Sequence, residues 1–370
     1  MTDRETKGDA GNSPVRVELL IATTWDCNLR CSYCFVGRRG LMKDMDPMSP
    51  ATAAHIVDVL DEEFSDVETV CLHFYGGEPL CNVPAMRAMV DRAMSRKVGK
   101  FVFAVTTNGV EATPEVIDLL GRANFGVVVS IDGPPEIHNQ CRIDAEGEPT
   151  HERVMKFLQT LREKTTCRVR GSAVVRSGWP LVRAAKYLKS LDVDTIKSQA
   201  VRTACRTAYS LNDEEQQAYL DDLETLGRQI IEDIREERSP RDDRFTSRIF
   251  QLIKKESRPR FCGAGISTFG VTPDADVLPC ILMDAENNSL GSVYDRLFRE
   301  EGRRRVESRP VRKECADCDA LALCGGGCPA MLPFCGDSEC AIVRKNCDVA
   351  RMIYRHFEDE PEKLLVLAGM

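Results

Sequence analysis

Val15-Arg16-Val17-Glu18-Leu19-Leu20-Ile21-Ala22, followed by Thr23-Thr24-Trp25-Asp26-Cys27-Asn28-Leu29-Arg30-Cys31-Ser32-Tyr33-Cys34-Phe35, decides how this chain is read. The first run is apolar and β-branched, as a strand is. It delivers three thiols, spaced Cys-x3-Cys-x2-Cys, to the loop at its carboxyl end. Three thiolates on one loop hold three corners of an iron–sulfur cube and leave the fourth iron open to another ligand, where a closed site uses four. Taken alone, the spacing also suits a zinc loop or a redox pair.

Outward from this stretch, short β-branched runs alternate with amphipathic stretches up to about Ala200. The predicted strands are Val15–Thr23, Thr69–Tyr75, Phe101–Thr106, Gly126–Ile131, Arg168–Val175 and Asp194–Ala200. Helical patterns cover Pro50–Phe64, Pro84–Val98, Pro114–Ala123, Thr150–Lys164 and Pro180–Leu191, most opening on proline or threonine as helix starts do. Alternation of this kind predicts an α/β fold with a parallel sheet, doubly wound or an incomplete barrel, with ligands at the carboxyl ends of its strands. A polar helix is expected from Asn212 to about Glu237, and a linker or covering helix over 238–260. The segment 261–355 is rich in Cys, Gly and Pro and poor in long periodic elements, so metal clusters are expected to supply its folding energy. Residues 1–14 read as a disordered tail and 356–370 as a C-terminal tail.

The chain has 370 residues, enough for two or three domains. Its net charge of −8 argues against a nucleic-acid or anionic-membrane surface. No apolar run is long enough to span a bilayer, and Met1 to Ser13 lacks the apolar core of a signal peptide, so a cytoplasmic location is expected. In that compartment, clustered cysteines among the seventeen point to metal rather than disulfides. The scattered Cys71, Cys81, Cys141, Cys167 and Cys205 read as small buried hydrophobes. Arg303-Arg304-Arg305 through Arg312-Lys313, interleaved with Glu307 and Glu314, reads as a solvated helical face.

Motifs recur at the later strand ends. The second strand ends Phe74-Tyr75-Gly76-Gly77-Glu78-Pro79-Leu80, where two glycines allow close approach of a ligand to the backbone. The third ends Thr106-Thr107-Asn108-Gly109, and the fourth runs Val129-Ser130-Ile131-Asp132-Gly133-Pro134 on to His138 and Arg142. With Tyr33 just before the third loop cysteine, this series resembles the radical S-adenosylmethionine (SAM) enzymes, in the subfamily that modifies peptides and proteins. The resemblance implies a partial (β/α)6 TIM-like barrel over 15–237, with Cys27, Cys31 and Cys34 holding a [4Fe–4S] cluster whose open iron takes SAM. It places Tyr33, Gly76, Gly77, Glu78, Asn108, Ser130, Asp132 and Arg142 around SAM, the glycine turn at the methionine amino group and Ser130 and Asp132 nearest the ribose. Short polar side chains suit a diol because they exchange hydrogen bonds without filling the pocket. Asn139 stands where that subfamily has Asp, and Cys141 beside Arg142 is unexpected.

The C-terminal third carries Cys262, Cys280, then Cys315-x2-Cys318-x5-Cys324-x3-Cys328 with Gly325-Gly326-Gly327 in the last gap, then Cys347. This order resembles the SPASM extension and implies two auxiliary iron–sulfur clusters of the [4Fe–4S] kind. By position Cys262, Cys280 and Cys328 would hold the nearer, and Cys315, Cys318, Cys324 and Cys347 the farther. The nearer is then open at one iron, or completed by Cys335 or Cys340. Four thiolates also suit tetrahedral zinc. Ala275 stands where the SPASM pattern has Gly.

The resemblance further implies reductive cleavage of SAM to a 5′-deoxyadenosyl radical that abstracts hydrogen from a peptide or protein side chain, giving oxidation or crosslinking in a ribosomally made peptide. The auxiliary clusters would take the substrate electron. Anaerobic sulfatase maturation, which forms formylglycine, and small-molecule dehydrogenation are the alternative enzyme readings; a cluster carrier would need no SAM pocket. Sulfatase maturases carry Asp after the cysteine matching Cys280, where this chain has Ile281, so Asp284 or Asp276 would have to serve as base. Only 26 residues precede Cys27, too few for a winged-helix leader-recognition module, so a separate recognition protein or the barrel surface is expected to bind substrate. The implied partners are that peptide or protein and an electron donor such as flavodoxin or ferredoxin, with no nucleic acid and no membrane.

Overall fold

Six strands form in chain order, β1 (Arg16–Ala22), β2 (Thr69–Tyr75), β3 (Phe101–Thr107), β4 (Gly126–Ser130), β5 (Arg168–Val175) and β6 (Thr195–Ala200), each parallel to the next. The computed structural model describes residues 15–38, 45–96, 99–202, 207–257, 260–308 and 312–369. Helices Pro50–Glu63, Val83–Met94, Pro114–Arg122, His151–Lys164 and Leu181–Ser190 cross between the strands. Their starts are set locally. Ser49 Oγ accepts from Thr52 N at 3.0 Å ahead of Pro50, and Thr113 Oγ1 from Val116 N at 3.3 Å ahead of Pro114.

Strand alternation sorts the sheet into two faces. Val17, Leu19, Ile21, Val70, Leu72, Phe74, Val105 and Val129 have no exposed surface and share one apolar cluster with Ile56, Leu60, Val90, Leu119 and Leu161 of the crossing helices. The opposite face presents half-buried Glu18, His73, Tyr75, Thr106, Ser130, Ser172 and Gln199. On it His73 is held between Glu18 Oε1 and Thr106 Oγ1, each at 2.9 Å, which ties β1, β2 and β3 together.

Two expectations for the C-terminal third are corrected. A seventh strand, β7 (Thr268–Val271), pairs parallel with β1, and β8 (Val277–Leu278) pairs antiparallel with β7, extending the sheet to β6-β5-β4-β3-β2-β1-β7-β8. Phe269, Val271, Val277, Val293 and Phe298 belong to the main apolar cluster, so hydrophobic burial anchors this segment whatever metal it holds. A four-residue strand is too short to show a period. The segment also contains a long helix, Leu332–His356, of 25 residues with a non-helical Gly336 (φ 50°, ψ −130°). Val343, Cys347 and Ala350 are buried along it at helical spacing, a pattern the cysteines obscured.

Elsewhere the chain follows expectation closely. Helix Asp213–Arg235 opens on a capping box between Asn212 and Glu215, and a covering helix, Thr246–Lys254, lies within 238–260. Residues 1–14 lie outside the described residues. The C-terminal stretch is not a loose end: Pro361–Gly369 forms a 3-10 run whose Leu364 and Leu367 are 0% and 2% exposed. No helix among the described residues is long and apolar enough to cross a membrane. Leu364→Ala should therefore cost about 2–5 kcal/mol, the range for a truncated core leucine, read as a lower denaturant midpoint at unchanged slope.

Candidate functional site

The loops at the carboxyl ends of β1, β2 and β3 lock into one another. Gly77 N donates to Thr24 O at 3.3 Å and Glu78 N to Asp26 O at 2.7 Å, so the glycine turn lies directly on the backbone that leads into Cys27. A Cβ on Gly77 would stand 2.2 Å from Asp26 O and 2.4 Å from Trp25 O, which glycine alone avoids. The close approach expected toward a ligand is thus made first to the chain's own cysteine loop.

Glu78, 2% exposed, binds the third strand end. Its Oε1 accepts from the Thr107 hydroxyl at 2.7 Å and Leu80 N at 3.1 Å, and its Oε2 from Asn108 N at 2.7 Å. Asn108 Nδ2 in turn donates to Asn28 Oδ1 at 2.7 Å and lies 4.0 Å from Cys27 Sγ. Burial pushes the Glu78 carboxyl up to about 7 despite the three hydrogen bonds that oppose it.

The fourth strand end is a second polar hub. Asp132 has no exposed surface; one carboxylate oxygen accepts from the Tyr33 hydroxyl, and the other takes Val174 N at 3.0 Å and faces Arg142 Nε at 3.2 Å. The Arg142 guanidinium also sits 5.5 Å from the Tyr33 ring centre. Asp132, expected at the ribose, is therefore occupied with pinning Tyr33 of the cysteine loop, and Ser130 is the residue of the pair that keeps exposed surface. Trp179 Nε1 donates to Asp132 O at 2.8 Å, closing the hub from the end of β5.

Cys27, Cys31 and Cys34 are half-buried on this loop, and Leu29 N and Gly37 N point at the sulfurs of Cys27 and Cys34, each at 3.4 Å. Burial pushes the Cys27 thiol up to about 11 and the Cys31 thiol to about 12, so both stay protonated at neutral pH until metal displaces the protons. Of the scattered thiols, Cys71, Cys141 and Cys167 are buried as expected, whereas Cys81 is exposed; Cys205 lies outside the described residues.

In the C-terminal third, Cys315, Cys318, Cys324 and Cys340 line one partly enclosed pocket. Gly325, Gly326 and Gly327 all take positive φ (71°, 89° and 83°), and the amides of Gly326 and Gly327 oppose the upward push that burial gives the Cys324 thiol. Cys328 receives the amides of Ala330 and Met331, with Cys262 in electrostatic reach. Cys347 is fully buried with Ala320 and Leu323. Ala275 adopts φ 67°, the left-handed conformation its glycine counterpart would take without steric cost.

The residues weighed as a base near Cys280 are otherwise engaged. Ile281 is 1% exposed, packed on β7 where a Cβ at Gly270 would stand 2.4 Å from its nitrogen. Asp284 caps a helical turn through Asn287 N at 3.0 Å, and Asp276 accepts from the Ser289 hydroxyl at 2.5 Å. Tyr75 had no assigned role in the sequence, yet its buried phenol, pushed up to about 12, stands in electrostatic reach of both Cys280 and Cys34 and of Arg202 and Arg142. Its place as the last inward-facing residue of β2 was the available signal. Arg202, paired with Glu339 at 3.1 Å across 137 positions of chain, had none.

Residues 21–175 match the Radical SAM superfamily. A cysteine-type anaerobic sulfatase-maturating enzyme of Clostridium novyi (strain NT) is 23% identical over 82% of this chain and 85% of its own. That of Clostridium perfringens (strain 13 / Type A) is 25% identical with the same coverage. Among solved structures, native anSMEcpe with bound AdoMet superposes with a TM-score of 0.75 at 22% identity over 95% of this chain and 99% of its own. Streptococcus suis SuiB bound to precursor peptide SuiA gives 0.61 at 17% identity over 89% and 74%. Residues 21–175 carry a radical SAM domain, the domain of an enzyme that uses SAM and a [4Fe–4S] cluster as cofactors. Three thiols on one loop, with amides directed at two of their sulfurs, fit such a cluster.

Because Glu78 keeps its proton to about pH 7 when folded but releases it near 4.5 when unfolded, it contributes stability below the lower value that is lost as pH rises through the upper. The loss approaches about 3 kcal/mol, so the stability of the metal-free wild type against unfolding should fall from about pH 5 to pH 8. Glu78→Gln should weaken less over the same interval, as urea titrations at both ends would show.

Proposed function

We propose that this enzyme abstracts a hydrogen atom from a side chain within a peptide or protein and leaves that side chain oxidised. The observation carrying this reading is the similarity to sulfatase-maturating enzymes along 82% of the chain and 85% of theirs, beyond the matched domain into the cysteine-rich third. When bound, SAM and the cluster supply a hydrogen-abstracting carbon radical, chemistry that belongs to the cofactor.

The chain's residues orient and shield. Cys27, Cys31 and Cys34 would hold the cluster. Gly77, Glu78 and Asn108 fix that loop against β2 and β3, Ser130 would contact the ribose, and the Tyr33–Asp132–Arg142 hub holds the loop from the fourth strand end. The thiols of the C-terminal third would carry two auxiliary clusters that take the electron left on the substrate. Tyr75, protonated at working pH, is placed to donate a hydrogen bond between the two cluster regions.

Two products fit this reading. The lengthwise similarity supports oxidation of a sulfatase cysteine to formylglycine. Ile281, with Asp276 and Asp284 engaged elsewhere, supports another residue in a ribosomally made peptide. With reconstituted protein, reductant and SAM under anaerobic conditions, a synthetic cysteine-containing sulfatase peptide should gain an aldehyde, seen by mass and hydrazide labelling, if the first holds. 5′-Deoxyadenosine without any change in that peptide would exclude it. No 5′-deoxyadenosine at all would remove the reading altogether. Alanine at Cys27, Cys31 and Cys34 together should bring 5′-deoxyadenosine to background while iron remains on the C-terminal third.

A further inference from the structure

We propose that Thr106, His73 and Glu18 form a proton relay inside the barrel, with the Thr106 hydroxyl taking the thiol proton of a peptide cysteine as that side chain is oxidised. The proposal rests on the peptide-oxidising reading in its formylglycine form, and supplies the base that Ile281 and the engaged Asp276 and Asp284 leave unassigned. Three adjacent strands each give one member. Glu18 lies on β1, His73 on β2 and Thr106 on β3, all on the face of the sheet opposite the apolar cluster. His73 Nδ1 stands 2.9 Å from Glu18 Oε1, and His73 Nε2 stands 2.9 Å from Thr106 Oγ1.

The chemistry of the three groups sets the direction of transfer. An ionised carboxylate only accepts hydrogen bonds, so Nδ1 carries the imidazole proton and Nε2 is left to accept from the Thr106 hydroxyl. The His73 hydrogen bond holds the Glu18 carboxyl below the usual carboxylate range against burial, with Arg16 and Lys197 adding to it. Cys71 is also in electrostatic reach of Glu18, and Tyr75 packs edge-on against the imidazole with 6.3 Å between ring centres. Thr106 gives its proton to Nε2 and receives one on the same oxygen, so the imidazole becomes a cation beside a fixed anion. Hydroxyl, imidazole and carboxylate in this order let a base act through an alcohol.

The relay starts near the site and ends in water. Half-buried Thr106 precedes Thr107, which holds Glu78. It lies two residues, about 7 Å of strand, before Asn108, whose Nδ2 is 4.0 Å from Cys27 sulfur. At the other end the Glu18 side chain is 39% exposed against 16% for His73, which gives the proton a way out that does not cross the cysteine loop.

The oxidation balances with this acceptor. One Cβ hydrogen leaves the cysteine as an atom, to the carbon radical that SAM supplies, and the thiol hydrogen leaves as a proton to Thr106. Of the three electrons then left on carbon and sulfur, two form the carbon–sulfur double bond and one passes to an oxidised iron–sulfur cluster. Water replaces the sulfur, which departs as hydrogen sulfide, and the aldehyde remains.

The test uses the full chain, reconstituted anaerobically, with reductant, SAM and a synthetic cysteine-containing sulfatase peptide deuterated at Cβ. Deuterium carried into 5′-deoxyadenosine reports the hydrogen-atom step, and aldehyde reports the completed oxidation. Thr106→Val should keep deuterium transfer while aldehyde per transferred deuterium falls roughly a hundredfold, the scale of a lost positioned base. Thr106→Ser should restore the ratio, and His73→Gln should lower it as Thr106→Val does. Glu18 is a positioning residue, and Glu18→Gln should lower the ratio less. An unchanged ratio in Thr106→Val and His73→Gln, or loss of both products in step, would overturn the proposal, because a mere strut between strands affects both steps alike. Independently of turnover, nitrogen NMR of the resting full-length protein, assigned with His73→Gln, should place the His73 proton on Nδ1. A proton on Nε2 would overturn the proposal and leave the reading of function standing. No aldehyde from this peptide with the wild type would refute the formylglycine reading, and the proposal with it.

Discussion

The contact on which the rest depends is the backbone of Gly77 and Glu78 pressed against Thr24–Asp26. It leaves no room for a Cβ on Gly77, and its two hydrogen bonds set the height and direction from which the cysteine loop leaves β1. The Glu78 side chain carries the constraint onward to β3 by accepting from Thr107 and Asn108, and Asn108 returns it to the loop through Asn28. Three strand ends and one loop thereby form a closed hydrogen-bonded ring. Such a ring holds thiols in place before metal arrives, which lowers the ordering cost of binding it.

Burying a carboxyl in this ring has an energetic cost, visible in the raised affinity of Glu78 for its proton. Each of its oxygens is nonetheless hydrogen-bonded, as a buried polar group requires. Asp132 solves the same problem differently, with a cation, a phenol and a backbone amide around it. Both acidic residues at the heart of the site serve first to hold other residues still.

The C-terminal third joins the barrel through shared sheet and shared core. β7 lies directly on β1, so the cysteines that follow it are referred to the same strand that carries Cys27. Tyr75 and Arg202 stand between the two thiol groups, and Arg202 reaches the long C-terminal helix through Glu339.

Six of the eight strands and the helices between them were legible in the sequence, because alternation of β-branched and amphipathic runs is a local property of ten or so residues. So were the three thiols after β1, the glycine turn and Asn108, since each belongs to a contiguous motif whose residue types have few other uses. What the sequence could not determine were relations between distant segments: that Gly77 meets Asp26, that Asp132 is engaged by Tyr33 and Arg142, that β7 extends the sheet, and that Arg202 pairs with Glu339 of the long C-terminal helix. Spacing along the chain fixes which atoms are available. Which of them face one another follows only once hydrophobic burial has packed the helices and sheet together, and that outcome belongs to the whole fold.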